Sequence, residues 1–148
     1  MQIRGTGSSW CSILGDEPIA SDGEILLTFQ VTELVETVEF GFAPADVWLT
    51  TYFGENPLGF CYQFSASRSS NDGLWNSANH TSNYGERGYA GDIVDCILNW
   101  ETGKISFKTI RGEQVIDHGV AYTNESIKTA VLFPAISVYG HDKVWIIN

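Results

Sequence analysis

Basic side chains are scarce in this chain: 8 Lys and Arg stand against 18 Asp and Glu in 148 residues, a formal net charge of −10 at pH 7. Residues 1–100 hold 13 acidic and 3 basic side chains, while residues 101–148 hold five of each. A phosphate backbone or an anionic bilayer needs clustered Lys and Arg, so neither nucleic acid nor membrane is expected as a partner. Long apolar runs are also missing. No run approaches the roughly 18 residues that span a bilayer, and the opening MQIRGTGSSW lacks the apolar core of a secretion signal. The expectation is a soluble, intracellular protein of the cytoplasm. There are three cysteines, Cys11, Cys61 and Cys96, with no C-x-x-C among them. That excludes a disulfide framework and a zinc site. Cys61 in GFCYQF and Cys96 in DIVDCILNW read as buried, reduced thiols. Asn79-His80-Thr81 and Asn124-Glu125-Ser126 fit the glycosylation pattern, but without a secretion signal they read as chance matches.

Hydrophobic residues make up 43% and aromatics 13%, enough for a real core in one domain. A helical stripe is absent. Short β-rich runs recur instead, separated by Gly, Asn, Asp and Ser clusters. The predicted strands are 24–31, 37–42, 59–64, 92–100, 104–110, 115–121, 130–138 and 143–147, with shorter pieces at 11–14 and 74–76. The clearest hairpin joins 92–100 to 104–110 through Glu101-Thr102-Gly103, where Gly103 can supply the positive φ of a three-residue loop. Ile105 and Phe107 alternate with Lys104, Ser106 and Lys108, so that strand has one dry face and one wet face. The strand 92–100 is apolar on both faces and so belongs in the middle of a sheet, with Asp95 as its misfit. Ser65–Gly91 reads as a long loop or short hairpin pinned by aromatics, with Trp75 a core pin. Many short strands without helices indicate an antiparallel sandwich.

Catalytic chemistry finds little support. Glycoside hydrolysis needs two carboxyls roughly 5–9.5 Å apart in one cleft. If Glu33, Glu36 and Glu39 lie on a strand, Glu33 and Glu39 share a face and Glu36 does not. They read as solvated carboxylates at a strand edge or turn. His80, His118 and His141 are too far apart for a metal spacing, and Asp72, Asn76 and His80 lack the acidic run that a hard cation wants. No nucleophile elbow or phosphate loop occurs. The expectation is a non-enzyme with no cofactor and no metal.

Several ordered segments resemble the SPRY (PRY-SPRY) domain family. The most specific is the run from Tyr84 to Phe107, YGERGYAGDIVDCILNWETGKISF. Gly119–Tyr122, Phe133–Gly140 and Val144–Asn148 resemble the family's later strands; Ser12–Gly15, Ile25–Val31 and Phe40–Phe42 resemble its earlier ones. The resemblance covers residues 11–148 and leaves 1–10 as an N-terminal tail. Asp95 stands where the family has Gly, no Trp occurs in Leu26–Phe29, and the hairpin at Lys108–Gln114 is longer than usual. The resemblance implies an all-β fold, a bent sandwich of two antiparallel sheets of the concanavalin-like jelly-roll type. It also implies a non-catalytic module that binds a protein or peptide through loops at one end.

In SPRY proteins that serve as substrate receptors of ubiquitin ligases, one binding loop reads Arg-Pro-Leu-Ala. Glu17-Pro18-Ile19-Ala20 holds the similar position, with the charge reversed. A Val-Trp-Gly stretch there is matched by Val138-Tyr139-Gly140, and a loop aromatic by Tyr52 or, secondarily, Trp48. The resemblance therefore implies a ligand site of Glu17, Pro18, Ile19, Ala20, Tyr52, Val138, Tyr139 and Gly140. Ionised carboxylates accept hydrogen bonds and do not donate them, so the expected ligand carries a basic residue beside an apolar anchor. A substrate-recognition or adaptor role follows from the same resemblance. The rival readings are a structural subunit docked permanently in an assembly and, behind it, a carbohydrate-binding lectin.

Overall fold

The computed structural model describes residues 2–5, 7–47, 50–67, 72–77 and 79–147. Among them are the strands β1 (Gln2–Arg4), β2 (Gly7–Leu14), β3 (Glu24–Glu33), β4 (Thr37–Ala43), β5 (Phe60–Ser65), β6 (Gly73–Asn76), β7 (Asn79–Thr81), β8 (Ile93–Asn99), β9 (Lys104–Arg111), β10 (Gln114–Thr123), β11 (Phe133–Gly140) and β12 (Lys143–Ile146). The helical pieces are short 3-10 turns at Phe53–Glu55 and Glu125–Lys128. No helix is long and apolar enough to cross a membrane among the described residues. The strands form two six-stranded sheets, ordered β1-β12-β3-β8-β9-β10 and β2-β11-β4-β5-β6-β7, paired antiparallel throughout.

Period-2 alternation builds the core between the sheets. Val38, Phe40 and Phe42 of β4 and Phe60, Tyr62 and Phe64 of β5 point inward from one sheet. Phe29 and Val31 of β3, Val94, Cys96 and Leu98 of β8, and Ile105 and Phe107 of β9 meet them from the other. Burying each such large side chain contributes about 1.5–3 kcal/mol. β8 lies between β3 and β9, the central place its two apolar faces require. Its misfit, Asp95, points outward, accepts a hydrogen bond from Thr28 Oγ1 at 2.8 Å, and sits across the ladder from Lys108. The β8–β9 turn closes through Gly103 at φ +61°. Gly41 is needed for a different reason: a Cβ there would fall 2.0 Å from the Phe60 carbonyl oxygen across the ladder.

Three expectations need correction. Residues 2–5 and 7–10 are not a tail. β1 pairs with β12, placing Ile3 in the core, and β2 begins at Gly7 as an edge strand beside β11. The signal was weak because a three-residue strand carries too little alternation to be seen. Glu33 and Glu39 do not share a strand: Glu33 ends β3 in one sheet and pairs with Lys143, while Glu39 sits in β4 of the other. Glu39 is fully buried rather than solvated. Trp75 is not a pin between the sheets. It packs on the outer side of the second sheet, half-exposed.

Candidate functional site

Register decides which side chains of the second sheet meet on its outer face. Ser12, Ser137, Glu39 and Gln63 stand side by side across β2, β11, β4 and β5. Two residues further along, Leu14, Ala135, Gly41, Cys61, Trp75 and His80 make the next row. An outward face carrying Ser, Glu and Gln would ordinarily be wet, yet all four polar residues of the first row are buried. The chain from 50 to 59 lies over Ser12, Ser137 and Glu39, and Phe53 joins Val47, Ala43, Cys61 and Ala135 in a second apolar cluster.

Polar bonds rather than a strand ladder hold this cover. Ser12 Oγ donates to the Thr51 carbonyl and lies 2.6 Å from the Ser137 hydroxyl. Phe53 N–H donates to Ser137 Oγ at 3.1 Å. Ser77 N–H donates to the Gly54 carbonyl at 2.7 Å, and Asn76 Nδ2 donates to the carbonyls of Pro57 and Gly59.

Above the cover's edge runs a line of half-exposed rings. Tyr52 lies 5.5 Å from Trp10 and 6.0 Å from Trp75, centroid to centroid. Trp10 lies 5.4 Å from Tyr139, and Trp75 stacks on His80 at 4.0 Å. Beside them opens a cleft of about 310 Å³ lined by Asp46, Val47, Thr51, Tyr52, Phe53, Glu55, Asn56 and Pro57. Its charged lining residues, Asp46 and Glu55, are both acidic and exposed. Partial burial, and then the charge of Glu55, push the Tyr52 phenol above its ordinary range, so it stays a neutral donor. Under the cover, burial holds the Glu39 carboxyl up at about 8.

The structure brings Tyr52 and Tyr139 together through Trp10, a residue the sequence reading passed over. Of Val138-Tyr139-Gly140, only Tyr139 reaches the surface by its side chain: Val138 is core, and Gly140 is buried as the last residue of β11. Glu17, Pro18, Ile19 and Ala20 lie elsewhere. Ile19 N–H donates to the Leu132 carbonyl, seven residues from Tyr139 along the β11 chain. At about 3.3 Å per residue that is roughly 23 Å. Glu17, Pro18 and Ala20 are exposed there, and Ile19 is packed against the core. Trp48 lies outside the described residues. Among the described residues no group of three or more His, Cys, Asp or Glu could hold a metal ion.

The family model for the SPRY domain matches residues 30–147. No curated protein matches the chain in sequence. Among solved structures, the SPRY domain of human HERC1 superposes with a TM-score of 0.74 at 19% identity, covering 98% of this chain and 86% of that one. Stonustoxin superposes with a TM-score of 0.70 at 16% identity, covering 92% of this chain. The match spans only 22% of the stonustoxin chain. At such identities the likeness is one of fold.

Proposed function

The chain belongs to the SPRY domain family, whose members are generally non-catalytic protein-interaction modules, and we propose that it binds a partner protein's peptide segment across the rings of Trp10, Tyr52 and Tyr139 and the cleft beside them. The observation that carries this reading is the convergence of three half-exposed rings beside a cleft whose charged lining is acidic. Aromatic rings with a polar tip concentrate binding energy at interface centres. Asp46 and Glu55 select hydrogen-bond donors. The ligand therefore presents an apolar or aromatic anchor with Lys or Arg beside it, as a substrate-recognition or adaptor module would read it.

A peptide array probed with wild type, Tyr139→Ala and the double variant Asp46→Lys/Glu55→Lys tests this. The wild type should select anchor-plus-basic sequences. Tyr139→Ala should lose all of them, and the charge reversal should lose the basic preference, less so at high salt. Selection of acidic peptides by the wild type would sink the reading.

A second reading, a subunit docked permanently in an assembly, is favoured by the outer face of the first sheet. Leu26 on β3, together with Trp145 and Ile147 at the end of the chain beside it, leaves apolar surface exposed there. Substituting Leu26→Lys and Trp145→Lys should then abolish co-purification of the assembly while the aromatic cleft keeps its peptide preference.

A further inference from the structure

We propose that Glu39 makes the cleft pH-gated: the cover formed by residues 50–59 stays closed while the Glu39 carboxyl is protonated and opens, carrying Tyr52 off Trp10, when that carboxyl ionises. The proposal rests on the cleft reading above, since it concerns the regulation of that site.

The geometry behind it begins with β4. Glu39 alternates outward with Gly41 and Ala43 while Val38, Phe40 and Phe42 fill the core. It is fully buried, and neither carboxyl oxygen has a hydrogen-bond partner of ordinary geometry. A buried, unpaired carboxylate is far costlier than a buried carboxylic acid.

Among the described residues, the groups around it offer no cation. From β11 comes the Ser137 hydroxyl, which already accepts from Phe53 N–H and pairs with Ser12. From β5 comes the Cys61 thiol, itself pushed up by burial and then by Glu39. The Tyr122 phenol of β10, raised by burial, donates to the carbonyls of Cys61 and Trp75. From the cover come the Gly54 N–H, the Tyr52 phenol and the Glu55 carboxylate. Ser137, Cys61 and Gly54 offset the burial only in part, and Glu55 adds repulsion.

The cover is the element that can yield. It is tied down by the bonds of Ser12, Ser137, Asn76 and Ser77 rather than by a ladder. Lifting it lets water reach Glu39, whereas β4 itself is fixed between β11 and β5. Closed, the carboxyl titrates at about 8; open and hydrated, near its ordinary value of 4.5. The closed form thus holds a proton that the open form releases between those values. Closure is strongest below the lower one and weakens about tenfold per pH unit through the window. It is weakest above the upper value.

Cys61 lies under the cover, so its modification reports opening without any ligand. The experiment is labelling by a neutral maleimide, quantified at Cys61 by peptide mass spectrometry from pH 5.5 to 8.5. Wild type is compared with Glu39→Gln, and with Glu39→Met should the Gln variant fold poorly. The ratio of wild-type to variant rates cancels the thiol's own titration. We expect that ratio to climb at least tenfold across the range. A ratio constant within twofold overturns the gate. Binding of a fixed anchor-plus-basic peptide to the neutral variant at pH 8.5 tests the cleft reading separately, because a working gate with no binding there condemns the cleft and leaves the gate standing.

Discussion

Tyr139 stands directly across the β2–β11 ladder from Trp10, their ring centroids 5.4 Å apart. Trp10 in turn touches Tyr52 from the cover. The three rings hold one another in place, each contact of this kind being worth about 0.5–1.5 kcal/mol beyond the area it buries. An edge strand, an inner strand and a loop thus become a single aromatic surface.

Trp10→Ala should weaken ligand binding as much as Tyr139→Ala does, by about tenfold or more, although Trp10 lies on a different strand. The double variant should lose less than the sum of the two, because each ring positions the other. Isothermal titration of the four proteins in that cycle measures the coupling. Strict additivity would mean that the rings bind independently.

Glu17 and Tyr139 are too far apart for one short ligand. Ile19 is bonded to Leu132, while Tyr139 lies seven residues further along the chain. An extended peptide needs about seven residues to reach both, at about 3.3 Å each. Glu17→Arg should therefore leave a four-residue ligand unaffected and change the affinity of a ten-residue one by up to severalfold, with the effect shrinking at high salt. Fluorescence anisotropy with the two lengths checks this.

Tyr122 ties the sheets together. From β10 its hydroxyl donates to the carbonyls of Cys61, at 2.6 Å, and Trp75, at 2.8 Å, on the other sheet. Tyr122→Phe keeps the ring packing and leaves both carbonyls short of a donor. Urea unfolding should show a loss of about 1–2 kcal/mol with an unchanged m-value. A neutral result would mean that water replaces the hydroxyl.

Arg111 neutralises a buried acid. Its guanidinium makes paired bonds to Asp92 at 2.8 and 2.7 Å and reaches Glu86 at 2.8 Å. It also lies over the Tyr89 ring at 4.3 Å. Arg111→Ala should cost about 2–3 kcal/mol, because Asp92 is left buried without its cation. Arg111→Ala in an Asp92→Asn background should cost distinctly less. Thermal and urea unfolding of the four proteins in the cycle measure the difference.

Much of this architecture was legible in the chain itself. Alternation of apolar and polar residues located the long strands to within a few residues, and Gly103 marked the turn of the central hairpin. These are local signals, since a strand's two faces and a turn's φ depend on neighbours in sequence. β1 escaped notice because three residues carry too little pattern. The site was legible only in part. Tyr52 and Tyr139 stood out as residues, but nothing local says that Trp10 is the ring that joins them: that follows from the β2–β11 register.

Glu39 marks the boundary most clearly. Alternation in TVEFGFA places it opposite the core, and the sequence alone makes that a wet position. Whether an outward face is wet depends on what else folds across it. Residues 50–59 cover the second sheet, while the first sheet leaves Trp145 and Leu26 in solvent. The chain determined by itself which way each side chain points, through the period of the strand. Only the tertiary structure decided which of the two outer faces would be dry, because burial is a property of contacts between segments far apart in sequence.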